Sequence, residues 1–273
     1  MTTATIAGEK AHGPLIGRLL LAEWTKLRSV RSTFWSLALL AVITLGFTAL
    51  FSVFFVTQWD QMQPSDRAQV TADPAGTILG TGFNLSQLAI CVLGVLVISS
   101  EYSTGMIRST LLAVPGRLGM LVAKCVVFAV LVFVVAEVIA FPSFYLGAAI
   151  LHSKATVSLS DPGVLRAIIG IGLYLAVLGL FSMAIGAIVR HSAGAITGVI
   201  GFVLVLAPLT QALPGKVGRY VHAYMPTEAG HLIGQAQRTS DGVLTPWQGF
   251  GVFVLWTVAL LAVAAYLLKH RDA

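Results

Sequence analysis

The sequence predicts an all-α membrane protein with six spanning helices, and three observations carry that prediction. Apolar residues make up 57% of the chain and charged ones only 10%, against about 25% charged in soluble domains. The mean hydropathy is +0.88, so a soluble fold would lack the polar surface to stay in water. Uncharged runs of about 20 residues, enough for a helix to cross the hydrocarbon, recur along the chain.

The first element is LIGRLLLAEWTKLRSVRSTF. At helical spacing Ile16, Leu19, Leu20, Trp24, Leu27, Val30 and Phe34 share one face, with Arg18, Thr25, Arg28, Ser29 and Ser32 opposite. This predicts an amphipathic helix over 15–33 lying on the membrane surface, with Arg31 in its last turn. Glu23 falls within the apolar face, just before Lys26 and Leu27. A carboxylate gains nothing from entering lipid there, so Glu23 is expected to face protein.

The spans follow at 34–56, 78–98, 118–151, 167–189, 192–213 and 249–268. The third carries Lys124, Glu137 and Pro142, and it exceeds the bilayer at ~1.5 Å per residue. It is expected to be a single span kinked near Pro142 and running past the outer surface. Six spans leave both termini on one side. That side collects eleven of the seventeen Lys and Arg residues, which predicts cytoplasmic termini.

Two connections stand out. ISSEYSTGMIRSTLLAVPGR, between spans two and three, places Ser103 and Thr104 where they can cap a helix and Pro115 where it would stop one. Ile107, Leu111 and Val114 would share a face, with Arg108 and Ser109 away from it. This predicts a short cytoplasmic helix within 101–117. Residues 214–246, between spans five and six, contain VHAYMPTEAGHLIG and predict a re-entrant or surface-lying pair of short helices.

Polar residues inside the spans are few. Asn84, Gln87 and Cys91 make a mildly polar stripe in the second. In the fifth, Gly194, Thr197, Gly198 and Gly201 form a small-residue face, with Gln211 near the outer end. Glu137 is the one carboxylate within a span, a functional candidate by default. Cys91 and Cys125 lie in apolar runs without metal-ligand spacing. His222, Glu228 and His231 match no strong metal signature, so no metal site is expected. Gly215 and Lys216 are followed by Val217, and no phosphate-cradling loop occurs. No basic stripe with interleaved aromatics points to nucleic acid, and no nucleophile–base arrangement points to hydrolysis.

The pattern formed by Glu101, Tyr102, Ser103, Thr104, Gly105, Ile107, Arg108, Leu111, Pro115 and Arg117 resembles the first cytoplasmic loop of type-2 ABC exporter permeases. AEWTKLRSVRSTFW, with Glu23, Trp24, Lys26, Arg28 and Arg31, looks like that family's elbow helix. YMPTEAG is similar to an outer-loop motif of its bacterial members, and the ending PWQGFGVFVLW to the last span of actinobacterial ones. The resemblance implies a permease of the bacterial plasma membrane, paired with a second permease copy and with separate ABC ATPase subunits. ATP and Mg would belong to those partners, with no cofactor in this chain. It makes 101–117 a coupling helix, and it places a substrate path between the two copies. Asn84, Gln87, Thr197, Gln211 and Glu137 are path candidates, and Glu101 is expected to pair with Arg28 or Arg31. The competing classes are an ion- or proton-coupled secondary transporter, an intramembrane enzyme and a non-transporting regulatory subunit. The first would show several buried charges and paired broken helices. The second would need catalytic groups clustered at one depth.

Overall fold

The computed structural model describes residues 15–106, 117–237 and 242–270, and every regular element among them is helical. In chain order they are α1 (Leu15–Ser29), α2 (Arg31–Thr57), α3 (Pro64–Ala72), α4 (Pro74–Ser103), α5 (Arg117–Leu151) and α6 (Val164–Val189). The fifth span, α7 (Ser192–Ala212), is followed by α8 (Gly215–Ala223), α9 (Pro226–His231) and α10 (Pro246–His270). Six of them, α2, α4, α5, α6, α7 and α10, are long and apolar enough to cross a membrane.

The surface chemistry agrees. Leu118, Val122, Val126, Val130, Val134 and Val138 recur every fourth residue along α5 and all are exposed. In α2 the usual amphipathic order is inverted: Phe34, Trp35, Val42 and Leu50 point outward, while Thr33, Thr44, Thr48 and Ser52 are buried. A hydroxyl in hydrocarbon needs a partner, so in lipid these residues turn inward and join helices. Thr44 donates to the Leu40 carbonyl at 2.7 Å, and the Thr48 and Ser143 hydroxyls meet at 2.7 Å across α2 and α5. Ser143 follows Pro142, across which α5 continues as one helix.

The most deeply buried span is α6, packed against α4, α5, α7 and α10. It crosses α4 closely, where a Cβ on Gly94 would run into the Gly179 carbonyl and the Ser182 side chain. Replacing Gly94 by Ala forces this crossing apart. The expected cost is about 1–3 kcal/mol, read as a lower melting temperature of the detergent-solubilised protein.

Boundaries shift where local chemistry decides. The expected helix over 15–33 ends at Ser29, because Val30 is extended (φ −86°, ψ 117°) and α2 begins at Arg31, ahead of the expected 34. No helix was expected at 64–72; α3 starts at Pro64, and Val70 packs on Ile78 and Leu151. Asp73 then caps α4, its carboxylate accepting from the Gly76 amide at 2.9 Å with Pro74 in the first turn. The segment after α7 forms two short helices, α8 and α9, followed by a tight turn at Leu232–Gly234. That turn lies against Gly170 and Ile171, about two turns inside α6. In α7, Phe202–Leu206 winds as a π-helix, a local widening found often at functional positions.

Candidate functional site

Two clusters of polar side chains lie at opposite ends of the bundle. The first occupies the end where α1 crosses the last turn of α4 and the first turns of α5. Glu23, Glu101 and Lys124 are 3%, 4% and 2% exposed. Lys124 Nζ donates to Glu23 Oε2 at 2.6 Å and to Glu101 Oε1 at 2.9 Å. Lys26 Nζ donates to Glu23 Oε1 at 2.9 Å and to the same Glu101 Oε1 at 3.2 Å. Two carboxylates and two ammoniums thus share one site joining three helices, buried except at Lys26, whose side chain is 31% exposed.

Burial raises the Glu23 carboxyl, but the Lys124 and Lys26 ammoniums outweigh it and hold the group below its ordinary 4.5. Burial lowers Lys26, while bonding to Glu23 and the charge of Glu101 carry it above 10.5. The linkage signs follow. Glu23 stabilises the fold above pH 4.5, and its contribution fades as pH falls through the lowered folded value. Lys26 stabilises below 10.5, and its contribution fades as pH rises through the raised one. The contribution of this pair to the melting temperature is therefore expected to be constant between those limits and to fall on both sides. Charge-neutral Glu23→Gln/Lys26→Met protein should lose much of that dependence.

Glu101 pairs with Lys26 and Lys124, not with Arg28 or Arg31, which are exposed. Successive helical residues point about 100° apart, so α1 turns Glu23, Lys26 and Leu27 inward and Arg28 away. Arg31 lies beyond the break at Val30. Glu23 faces protein, whereas Trp24 is 45% exposed. The sequence signal for the missing partner was Lys124 itself, since a lysine within an apolar run requires a counter-charge.

Around this joint the chain turns sharply. Ser103 and Thr104 hydroxyls both donate to the Ser100 carbonyl, closing α4, and Gly105 follows at φ 69°, a left-handed conformation that suits glycine. Tyr102 lies under the Arg190 guanidinium at 5.0 Å. Arg190 has φ 59° and also donates to the Leu267 carbonyl at 3.4 Å, so the ends of α4, α6 and α10 meet here. Ile107, Arg108, Leu111 and Pro115 lie outside the described residues; Arg117 begins α5.

The second cluster sits at the other end. The Tyr174 hydroxyl donates to Gln87 Oε1 at 2.7 Å, and Gln87 Nε2 donates to the Asn84 carbonyl at 2.9 Å. With Pro208, Thr227, Glu228 and His231 these three line a cavity of about 310 Å³. The His231 ring stands edge-on to Tyr174, centroids 5.8 Å apart, and burial lowers its pKa, leaving it neutral near pH 7. Glu228 lies 3.7 Å from His222, whose Nδ1 meets the Thr210 hydroxyl at 2.9 Å. Burial raises the Glu228 carboxyl, offset in part by His222. Arg166 holds the segment down, donating to the carbonyls of Ile233, Gln235 and Ala236 at 3.2, 2.9 and 3.0 Å.

Of the path candidates, Asn84 and Gln87 share this cavity. Thr197 is exposed on α7, and Gln211 is exposed at its C-terminal end. Glu137 lies apart, between α5 and α6; a Cβ on Gly172 would fall on its carboxyl, and neither oxygen has a hydrogen-bond partner among the described residues. Tyr174 was not singled out from sequence, because a tyrosine in an apolar helix gives no signal until its partner is known. Among the described residues no three metal-ligating side chains converge, and Cys91 and Cys125 are free thiols.

The architecture is that of a multi-pass helical membrane protein. No family model matches the chain. No curated protein matches it either.

Proposed function

We infer that the chain is the permease subunit of an ATP-driven ABC exporter, working as a dimer with separate ATPase subunits in the bacterial plasma membrane, both termini cytoplasmic. The observation that carries this reading is the buried joint. It ties α1, the helix that resembles an elbow, to Glu101, where the loop resembling a coupling helix begins, and to the start of the third span. A push on that loop from an ATPase would thereby move three helices together. The Tyr102–Arg190 contact would extend the motion to the ends of α6 and α10.

A second copy would fit against α7, where Gly198 and Gly201 have open space and Thr197 faces outward. Asn84, Gln87 and Tyr174 then form a polar wall beneath α9, which acts as the outer seal. Co-expression with the ATPase of a neighbouring reading frame tests the reading. The complex should co-purify, and ATP should drive export from liposomes. Failure to associate with any ATPase defeats it. Glu137, an unpaired carboxyl within a span, favours one alternative, a proton-coupled transporter. That alternative requires uptake or efflux driven by a pH gradient without ATP, lost in Glu137→Gln.

A further inference from the structure

The cavity of about 310 Å³ beneath α9 is lined in part by groups that the fold leaves without partners. Helix α7 contributes the first. In its π-helical turn the Ala207 amide donates to the Phe202 carbonyl, five residues back. The Val203 carbonyl would take its donor from position 207 or 208; the first is spent, and Pro208 has no N–H. Val203 and Pro208 both belong to the cavity wall, so an orphaned backbone acceptor lies in it. Helix α9 contributes the second. Glu228, with a side chain 28% exposed, has the His222 ring at 3.7 Å, beyond hydrogen-bond distance. That ring is already engaged by Thr210 through Nδ1. No Lys or Arg among the described residues pairs with Glu228.

The third is the His231 ring, which stands edge-on to Tyr174 and makes no hydrogen bond among the described residues. As a neutral imidazole it keeps one lone pair to offer. The Tyr174 O–H is spent on Gln87. Asn84 and Gln87 add amides, which take either role, and Thr227 a buried hydroxyl. The unmet groups are therefore mainly acceptors, and Glu228 is the one charged side chain of the lining. A ligand that completes this wall carries a positive charge and N–H donors. The rest of the lining, Leu85, Leu204 and Pro208, is apolar. Leu85 and Leu204 are 41% and 44% exposed, which puts the apolar side at the mouth. A bare metal ion would leave that side unused, whereas an apolar body attached to an ammonium covers it.

We propose that this cavity binds a primary ammonium carried on a lipophilic body. The ammonium pairs with Glu228 and donates to the Val203 carbonyl and the His231 nitrogen. The body lies against Leu85, Leu204 and Pro208 and leaves between the exposed faces of α4 and α7. The π-turn thereby acquires a role: the proline that interrupts α7 frees the backbone acceptor that the ligand uses. That such an amine is the exported cargo rests on the exporter reading; its binding does not.

The test is a fluorescence titration of the full chain in phosphatidylcholine nanodiscs with dansylcadaverine, a primary amine on an aromatic body whose emission reports a less polar site. Its N-acetyl derivative has the same body and no charge, and protein-free nanodiscs give the membrane background. The amine should bind about tenfold or more tightly than the acetylated compound, the discrimination expected from one lost hydrogen bond to a charged group. In Glu228→Gln, which keeps the side chain's size, the two compounds should bind alike. Leu204→Trp, which fills the cavity from its exposed rim, should abolish binding of both, and it carries the test if Glu228→Gln fails to fold. Equal binding of the two compounds to the unaltered chain, a preference for the amine surviving in Glu228→Gln, or undiminished binding in Leu204→Trp would overturn the proposal. Displacement of the amine by sodium chloride, but not by choline chloride of the same strength, would assign the site to an alkali ion and overturn the ammonium assignment. No ATPase enters the titration, so a chain that associates with none can still bind the amine, and a chain that binds no amine can still be an exporter subunit.

Discussion

Lys124→Met is expected to abolish most folded protein in detergent. The substitution removes the more deeply buried of the two ammoniums that bond to both Glu23 and Glu101. Two buried carboxylates would then share Lys26 alone, leaving an uncompensated buried charge. Breaking a buried pair from one side costs about 3–5 kcal/mol, against about 0–1 kcal/mol for a surface pair. The Lys124 side chain is only 3% exposed, so the larger figure applies. Charge balance gives the control: Lys124→Met with Glu101→Gln leaves Glu23 paired with Lys26 and should recover part of the loss. Size-exclusion profiles and melting temperatures of the single and double variants check this. Wild-type melting of Lys124→Met would mean that the four charges contribute nothing net.

Arg166→Met is expected to release the segment from α9 to Ala236 while leaving the spans assembled. Three carbonyls, those of Ile233, Gln235 and Ala236, would lose their charged donor. Hydrogen bonds to charged groups contribute about 1.5–3 kcal/mol each when fully desolvated. Arg166 is only partly buried, so screening and replacement by water reduce the sum to about 2 kcal/mol. Amide exchange over 226–237 should accelerate roughly thirtyfold, as that free energy implies, while α6 stays protected. Under the exporter reading, the same variant should hydrolyse ATP with reduced export. Unchanged exchange would show that packing of Gly170 on Ile233 and of Gly249 on Ala229 suffices to hold the segment.

The fate of individual residues shows what kinds of information the sequence carries. Glu23 could be placed against protein from helical spacing alone, because no carboxylate is stable on a lipid-facing stripe. Its partner could not be read in the same way. Lys124 lies 101 residues away, and desolvation demands a counter-charge without choosing among Lys26, Arg28, Arg31 and Lys124. The short helix α3 was missed because its polarity gives no periodic signal; it forms at a proline start and keeps Val70 on the bundle. Asn84 and Gln87 were visible as polar residues in an apolar run. The cavity that unites them with Tyr174 and His231 exists only because α9 folds back beside α6.

The sequence by itself determined the number and order of the candidate spans. Bilayer thickness acts on each segment separately, so an apolar run of sufficient length needs no tertiary partner to be recognised. The break at Val30–Arg31 and the start of α4 at Pro74 are not legible in the sequence, because an extended residue between two helices and a polar helix such as α3 leave no periodic signal. Only the tertiary structure decided which buried charges meet, which hydroxyls join α2 to α5, and which carboxylate oxygen is left without a donor. Such pairings follow from helix crossings such as Gly94 on Gly179. A crossing is a joint property of two segments far apart in the chain, and neither segment carries it alone.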